Sequence, residues 1–453
     1  MTSGKTIPSN TFGHQFLNYF LVSQTVFLAY WVAMYPGVMA HDSFVQWIQI
    51  ETGNYDNWHP YIHTLWINLL RLGANTPALA TLAQLTLSSV IFSAFSAWLV
   101  TQNVSVRLVT ICHFLLVLWP ATGIYNVTLW KDVTAAQFVL LFAFGFLVLC
   151  RQRFDLNKYT IGFAVLLGAV GFMATILRHN HFVLLLVLPL CVWWLTIQRA
   201  IFKAIFTITL IGFFLLANIP IWTGLIPDTQ RSQFPIFQLW ILSYQLVNGS
   251  PTLTELDRAF LEDLLPEFGQ DTACLFWDVL HPYAETWLLT DPVRLALVDQ
   301  IFWREVVANP TFIVAQRTCT FMATLGLRSY RWVYQDRWIN APADVANTDY
   351  TRHLNTPPPI GPLYVLVRDF LDWTDDLPQR YLFWNHLFGL VAVAAIGQLG
   401  LIRKDRALIG VFIIYASLIA VLFVINVSAD WRYLLFVYLF SFYALPIARL
   451  RES

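Results

Sequence analysis

The sequence predicts an all-α polytopic membrane protein with about ten transmembrane helices. Of its 453 residues, 57% are hydrophobic and only 12% are charged, whereas about 25% of residues are charged in a typical soluble protein. Apolar runs long enough to cross roughly 30 Å of hydrocarbon recur along the chain. Lysine and arginine concentrate in alternate connections between these runs, which is the charge asymmetry expected of membrane proteins.

Ten apolar runs are predicted to span the membrane, with a polar or charged connection after each. In chain order, the runs are Phe16–Met34, Pro77–Val100, Val106–Pro120, Val133–Cys150, Tyr159–Leu177, Phe182–Ile197, Ile205–Ile226, Leu382–Ile402, Ala407–Val427 and Tyr433–Ala448. They divide the chain into an N-terminal membrane module (1–226), an outer segment (227–381) and a C-terminal three-helix membrane segment (382–453).

Positive charges in the short connections predict the orientation. With the N-terminus inside, the inner segments hold twelve lysines and arginines, and the short outer segments hold four. The four outer cations are Arg71, Lys131, Arg178 and Arg432. An even number of spans then places both termini in the cytoplasm, and we expect a multi-pass integral membrane protein. The first run is expected to be a retained anchor, because no small-residue cleavage site follows it.

The 227–381 segment is predicted to form a mainly helical outer domain. Its runs Leu295–Val307 and Thr311–Leu325 have the spacing of amphipathic helices. The second run is short and contains Arg317, which argues against an eleventh span. Five tryptophans are expected either to present aromatic faces to a ligand, or to pack a small core or lie at the membrane interface. They are Trp240, Trp277, Trp287, Trp332 and Trp338.

Charge and motif content argue against several function classes. The formal net charge is zero, so nucleic acid is not an expected partner. The chain contains no Walker lysine motif, no GxGxxG after a strand and no GxSxG elbow. If the protein uses a donor substrate, that donor must be reached from the membrane or from the outer face. Of the five cysteines, only Cys274 and Cys319 lie outside the apolar runs and are compatible with a disulfide.

The stretch Tyr35–Thr64, within the first outer loop (35–76), is too polar to lie inside a bilayer. Its Asp42 follows the first span closely and precedes an amphipathic run. A carboxylate at this place would accept a proton from a hydroxyl substrate. The competing interpretation is that Asp42 or Ser43 caps a short interfacial helix.

Histidines accompany Asp42 in the same loop. His59 and His63 lie four residues apart around Pro60, so they project from nearby faces if a helix begins there. The pair would orient a phosphate or, with Asp42, hold a divalent metal. Two histidines are one ligand short of a convincing metal site, so no metal or other cofactor is expected. Ordinary interfacial histidines are the alternative.

Cations at the outer ends of later spans predict a phosphate site. Lys131, next to Asp132, is the only lysine on the outer side in this topology, and an ammonium at that level suits a lipid phosphate. Arg178 and Arg432 are expected near the same depth, where three cations would stabilise a phosphate leaving group. The alternatives are a local ion pair between Lys131 and Asp132, and arginines that snorkel to water.

Five motifs, taken in order, resemble polytopic glycosyltransferases of the GT-C class, and more narrowly a bacterial glycosyltransferase-like family of unknown function. The motifs are YPGVMAHDS, NWHPYIHT, WKD, RHN and DWRY. The resemblance is best over the N-terminal 180 residues, moderate over the last three spans and slight in the outer domain. The chain departs from the family pattern because His41, rather than a second carboxylate, precedes Asp42.

The resemblance implies an inverting enzyme that transfers a sugar from a polyprenyl-phosphate donor to a glycan, lipid or protein acceptor on the outer side. Asp42 would be the general base, and basic residues would hold the carrier phosphate. The phosphate-binding set would be Lys131, Arg178 and Arg432, with His41, His59, His63 and Asp132 in support. The rival function is a lipid or sugar transporter or flippase, whose signature is ionisable residues buried within the spans or Gly/Pro-broken helices in matching halves of the chain. The predicted spans are nearly free of charge, which favours the enzyme.

Overall fold

The computed structural model describes residues 10–152, 154–155, 157–229, 233–264, 291–327, 334, 351, 357–426 and 430–450. Within these ranges the regular structure is helical, and the α-helices are numbered here in chain order. The first ten are α1 (Asn10–Ala33), α2 (His41–Thr52), α3 (Tyr61–Leu70), α4 (Ala78–Thr101), α5 (Val106–Leu118), α6 (Pro120–Asn126), α7 (Lys131–Arg151), α8 (Lys158–Ile176), α9 (Leu184–Leu195) and α10 (Ala200–Trp222).

Nine more α-helices follow in the described ranges. They are α11 (Gln233–Val247), α12 (Glu255–Leu264), α13 (Pro292–Ala308), α14 (Pro310–Thr324), α15 (Gly361–Asp375), α16 (Gln379–Phe383), α17 (Leu387–Arg403), α18 (Arg406–Ile425) and α19 (Leu435–Ala448). Short 3-10 turns at His179–His181 and Trp431–Leu434 lie just before α9 and α19.

The all-α polytopic class is confirmed, although two predicted spans differ from expectation. Eight predicted spans coincide with helical segments long and apolar enough to cross a membrane, counted over the described residues. The third is broken, because α5 and α6 are bent by 59° where Pro120 lacks the N–H needed to continue α5. The sixth is α9, whose twelve residues reach about 18 Å at 1.5 Å per residue. That length is too short to cross the hydrocarbon alone.

The helices of the N-terminal and C-terminal membrane segments pack into one bundle. The most buried of the long apolar helices, α7, packs against α8, α18 and α19. Helix α1 packs along α4, and α17 packs along both α18 and α19. Gly389 permits the contact of α17 with α19, because a Cβ at that position would lie 2.6 Å from the Val437 side chain. Phe95 of α4 stacks on Tyr443 of α19, with ring centroids 4.4 Å apart.

The chain between α10 and α17 is also helical where it is described. The two amphipathic runs predicted there are α13 and α14, so their helical character is confirmed. Helices α11, α12 and α13 share an apolar core in which Trp240 is fully buried. Trp240 therefore packs a core and does not present a face to a sugar. The other tryptophans named above and one cysteine lie outside the described residues: Trp277, Trp287, Trp332, Trp338 and Cys274.

Candidate active site

The connection between α1 and α4 folds over the N-terminus of α7. The Val38 N–H donates to the Val127 carbonyl at 2.8 Å, and the Val38 carbonyl accepts from the Leu129 N–H at 3.0 Å. These bonds hold the two connecting segments side by side. They bring Asp42, the second residue of α2, against Lys131, the first residue of α7.

Ser43, and not Asp42, stabilises the start of α2. The Ser43 hydroxyl accepts from the Ala40 N–H at 3.2 Å and donates to the Leu129 carbonyl at 2.6 Å. Of the two interpretations of this loop, the helix-capping role therefore belongs to Ser43. The Asp42 carboxylate contacts charged side chains instead.

Asp42 contacts two cations and a histidine. Its Oδ2 lies 2.7 Å from Lys131 Nζ and 3.2 Å from an Arg432 guanidinium nitrogen. Lys131 Nζ also lies 2.9 Å from His59 Nδ1. Because an ammonium group has no acceptor, His59 Nδ1 must accept this bond, and the ring proton of neutral His59 is then on Nε2. That nitrogen lies 3.9 Å from Asp42 Oδ1.

A second carboxylate, Asp132, lies behind this contact. Its Oδ1 is 2.6 Å from Arg178 Nε, and its Oδ2 is 3.4 Å from Arg432 Nε. Arg432 Nε is also 2.7 Å from Asp430 Oδ2. Arg432 therefore contacts three carboxylates, one from α2, one from α7 and one just before its own 3-10 turn. These groups form what is called here the charge cluster: Asp42, His59, Lys131, Asp132, Arg178, Asp430 and Arg432.

Aromatic rings and backbone carbonyls hold the two arginines in place. The Arg178 guanidinium stacks over the Tyr433 ring at 4.2 Å and donates to the Tyr433 carbonyl at 3.2 Å. The Arg432 guanidinium lies over the Trp130 ring, 4.6 Å from its centroid. Planar guanidinium groups suit such combined stacking and bidentate pairing. Both arginines are thus oriented before any ligand arrives.

The charge cluster has an inner layer and an accessible rim. The side chains of Asp132 and Arg178 are 1% and 6% exposed. Those of Asp42, Lys131 and Asp430 are 17%, 14% and 20% exposed. With neutral His59, three carboxylates balance three cations. A ligand approaching the rim therefore meets Asp42, Lys131, Arg432 and Asp430.

The pKa values of the two rim carboxylates move in opposite directions. Burial raises the pKa of Asp42, but the nearby charges of Arg432 and Lys131 outweigh burial and hold it well below its ordinary value. Burial also raises the pKa of Asp430, and there Arg432 offsets the effect only in part. Burial and the charge of Lys131 lower the pKa of His59 well below its usual range. Asp42 is consequently a firmly ionised and weakly basic carboxylate in this arrangement.

The structure decides between the alternatives left open for the cations. Lys131 pairs with Asp42, 89 residues away in sequence, and not with the adjacent Asp132. Arg178 is buried in its pair with Asp132, and Arg432, whose side chain is 11% exposed, is held by three carboxylates, so neither extends toward water as snorkelling would require. The predicted convergence of Lys131, Arg178 and Arg432 is observed, although Arg178 lies in the inner layer.

Two of the predicted supporting histidines lie apart from the charge cluster. His41 begins α2 and has an exposed side chain. His63 is buried, and its Nδ1 lies 3.0 Å from Gln46 Oε1. Asp430 was missed among the candidate residues. The DWRY motif carried the signal, because an acid two residues before an arginine at a helix start can cap that turn and pair with the arginine.

The described residues contain no group of three or more His, Cys, Asp or Glu side chains arranged to hold a metal ion. The carboxylates of the charge cluster face lysine and arginine instead. An apolar cavity of about 350 Å³ lies elsewhere, between α5 and the α15–α16 region, and its lining includes Leu118, Phe370 and Phe383. We place the candidate site at the charge cluster, because its ionised side chains can exchange protons and bind phosphate. The apolar walls of the cavity can do neither.

Comparison of the chain with protein-family models, curated proteins and solved structures gives no match.

Proposed function

We propose that this membrane protein is a glycosyltransferase that takes a sugar from a polyprenyl-phosphate donor and delivers it to an acceptor hydroxyl outside the cytoplasm. The observation that carries the proposal is the charge cluster, in which three cations and three carboxylates meet at one end of an apolar bundle. A carrier with a lipid tail and a phosphate head matches that combination of surfaces. The resemblance of five ordered motifs to the GT-C class points to the same chemistry.

Transfer by one displacement defines what each group must do. The acceptor oxygen attacks the anomeric carbon, and the bond from that carbon to the phosphate oxygen breaks with inversion. Lys131 and Arg432, both on the rim, would stabilise the departing phosphate as its charge develops. Arg178 lies behind Asp132 and does not reach the rim, so it would act by positioning Asp132 and Arg432.

Donor binding must compete with the ion pairs already present. Asp42 and the phosphate would share Lys131 and Arg432, both within 3.2 Å of Asp42. Because the charge cluster is neutral, a phosphate can bind only by taking contacts with Lys131 and Arg432 from Asp42. A neutral sugar cannot take these contacts, so we expect phosphate-bearing carriers to bind in preference to neutral sugars.

Lys131 offers the sharpest test of this function. We expect purified protein in proteoliposomes to transfer radiolabelled sugar from a polyprenyl monophosphate donor to a membrane acceptor. Lys131→Gln should lower the transfer rate about 100-fold, the usual cost of one lost group that stabilises a developing anion. Lys131→Arg keeps the charge and should retain more activity than Lys131→Gln.

Glu51→Gln is a matched control, because Glu51 lies in the same loop segment but pairs with Arg71 outside the charge cluster. Its transfer rate should equal that of the unaltered protein. Equal transfer rates in Lys131→Gln and Glu51→Gln would mean that Lys131 takes no part in the reaction. Failure of the unaltered protein to transfer from any polyprenyl-linked sugar, combined with movement of the labelled carrier between leaflets, would favour the transporter function instead.

A further inference from the structure

The three carboxylates of the charge cluster are not equally neutralised. Asp42 has Lys131 and Arg432 as partners, and Asp132 has Arg178 and Arg432. Among the residues that the structure describes, Asp430 has Arg432 as its one cationic partner, and it shares that guanidinium with both other carboxylates. The carboxylate with the weakest cationic environment is therefore Asp430.

Asp430 is also accessible and held in a defined orientation. Its Oδ1 accepts from the Arg432 backbone N–H at 3.1 Å, which caps the 3-10 turn Trp431–Leu434. Its Oδ2 faces Arg432 Nε at 2.7 Å. The side chain is 20% exposed, whereas that of Asp132 is 1% exposed. Of the two rim carboxylates, Asp430 is the one that has no lysine partner in the described part of the chain.

The charges that face Asp430 come from several elements. Arg432 belongs to its own turn, Asp132 comes from α7, and Asp42 comes from α2. Burial raises the pKa of Asp430, the cation Arg432 lowers it, and the two carboxylates raise it again. The net direction is upward, opposite to that of Asp42. A carboxylate with a raised pKa is the better proton acceptor near neutral pH.

We propose that Asp430 is the residue that accepts the proton of the acceptor hydroxyl, and that Asp42 orients Lys131 and Arg432 toward the donor phosphate. The inference rests on the proposed glycosyl transfer and names its base. The acceptor O–H bond breaks and its proton passes to an Asp430 oxygen. The acceptor oxygen then forms the new bond to the anomeric carbon, and the polyprenyl phosphate leaves with the electron pair of the broken bond.

The test is the pH dependence of kcat/KM for transfer from a polyprenyl monophosphate sugar, in the unaltered protein, Asp430→Asn and Asp42→Asn. Asparagine retains the Oδ1 that caps the turn, so Asp430→Asn removes basicity with little change in the local fold. The unaltered protein should lose activity as the pH falls, with a midpoint above the ordinary Asp pKa of about 3.9. This fall in kcat/KM at low pH is called here the acidic limb. Asp430→Asn should be 100-fold or more slower, in the range of about 10²–10⁴ for loss of a general base, and should not show this acidic limb.

Asp42→Asn should lower kcat/KM yet keep the acidic limb, because the base is still present. Loss of the limb in Asp42→Asn, or its retention in Asp430→Asn, would overturn the inference while leaving glycosyl transfer established. Binding of polyprenyl monophosphate separates a structural role from a catalytic one. Asp430→Asn should bind it as the unaltered protein does, and a parallel loss of binding and of thermal stability would count against Asp430 as the base. If the unaltered protein transfers no sugar, the proposed function fails and the inference fails with it.

Discussion

Arg432 is the residue on which the charge cluster depends most. It contacts Asp42, Asp132 and Asp430 and stacks on Trp130. Its removal would leave three carboxylates with two cations in a largely buried setting, and unpaired buried charges cost several kcal/mol. Loss of activity in an Arg432 variant would therefore not separate catalysis from folding. Substitutions on the rim, at Lys131 or Asp430, separate the two more cleanly.

His63 predicts a measurable dependence of stability on pH. Burial, together with the charge of Lys131, lowers its pKa to about 3, below the ordinary value of about 6.5. The unfolded chain then binds more protons than the folded chain between these values, so stability is lost as the pH falls below about 6.5. Between pH 7.5 and 5.5, His63 alone should cost about 1.4 kcal/mol of unfolding free energy.

Thermal unfolding in detergent at pH 7.5 and 5.5 tests this expectation with His63→Gln. The variant should lose less stability on acidification than the unaltered protein, by about that amount. His14→Gln is the control, because His14 is an exposed residue near the opposite end of the bundle. A pH dependence equal in all three proteins would mean that His63 does not titrate in the expected way.

At the scale of elements, α14 links the helices of the 227–381 segment to the site. Its Arg317 is 4% exposed and stacks over Phe237 and Trp240 of α11, at 4.9 and 4.7 Å. The guanidinium donates to the Asn426 carbonyl at 2.5 Å, just after α18. Asp430 and Arg432 lie only a few residues further along the chain. A helix outside the long apolar spans thus holds the backbone that leads into the charge cluster.

Arg317→Gln should therefore destabilise the protein by about 1–3 kcal/mol, because the Asn426 carbonyl would lose its donor in a buried place. We also expect a lower kcat for transfer with little change in KM, because the Asp430–Arg432 segment would be less well positioned. The matched control is Arg368→Gln. Arg368 is 38% exposed and pairs with Asp369 on its own helix, and surface pairs of this kind contribute little. Unchanged stability and kcat in Arg317→Gln would mean that α14 does not position the Asp430–Arg432 segment.

At the scale of the whole molecule, the charge asymmetry of the connections predicts which end of the bundle faces outward. The charge cluster lies at the end that holds the α2–α3 connection, whereas the α4–α5 connection lies at the other end. The positive-inside rule places the first end outside the cytoplasm. Asn54→Cys should then react with a membrane-impermeant maleimide on intact cells.

Ser105→Cys, in the α4–α5 connection, should react only after the membrane is permeabilised. Both positions are exposed, so differences in labelling report sidedness and not burial. The unaltered protein measures the background from its native cysteines. The opposite labelling pattern would place the charge cluster in the cytoplasm and would require a donor presented on that side.

Much of the fold was predictable because hydropathy is a local property of the chain. A run of about twenty apolar residues cannot remain in water at acceptable cost, so its position in the sequence predicts a span. Two spans differ from the prediction in their helical continuity or length. Pro120 starts a new helix at an angle to α5, and the α-helix in the sixth apolar run, α9, is twelve residues long.

The candidate site was predictable in most of its membership and unpredictable in its pairing. Charged residues beside apolar spans are conspicuous in a chain this apolar, which is why Asp42, Lys131, Arg178 and Arg432 were all expected to converge. Asp430 escaped notice because it lies beside Arg432, where a local ion pair is a sufficient explanation. Asp430 has fewer cationic partners than Asp42 and Asp132 among the described residues, and this difference is visible only in the tertiary structure.

The sequence by itself determined the membrane class, most of the spans and most of the polar residues gathered at one end of them. Only the tertiary structure decided which groups pair. Lys131 contacts Asp42 and His59, and Arg178 forms an ion pair with the buried Asp132. Arg432 is shared by three carboxylates. The physical reason is that burial of an apolar run depends on its own composition, whereas an ion pair depends on the distance between groups. Those distances are set by the packing of α7 against α19 and by the backbone hydrogen bonds of Val38, which bring the start of α2 to the start of α7.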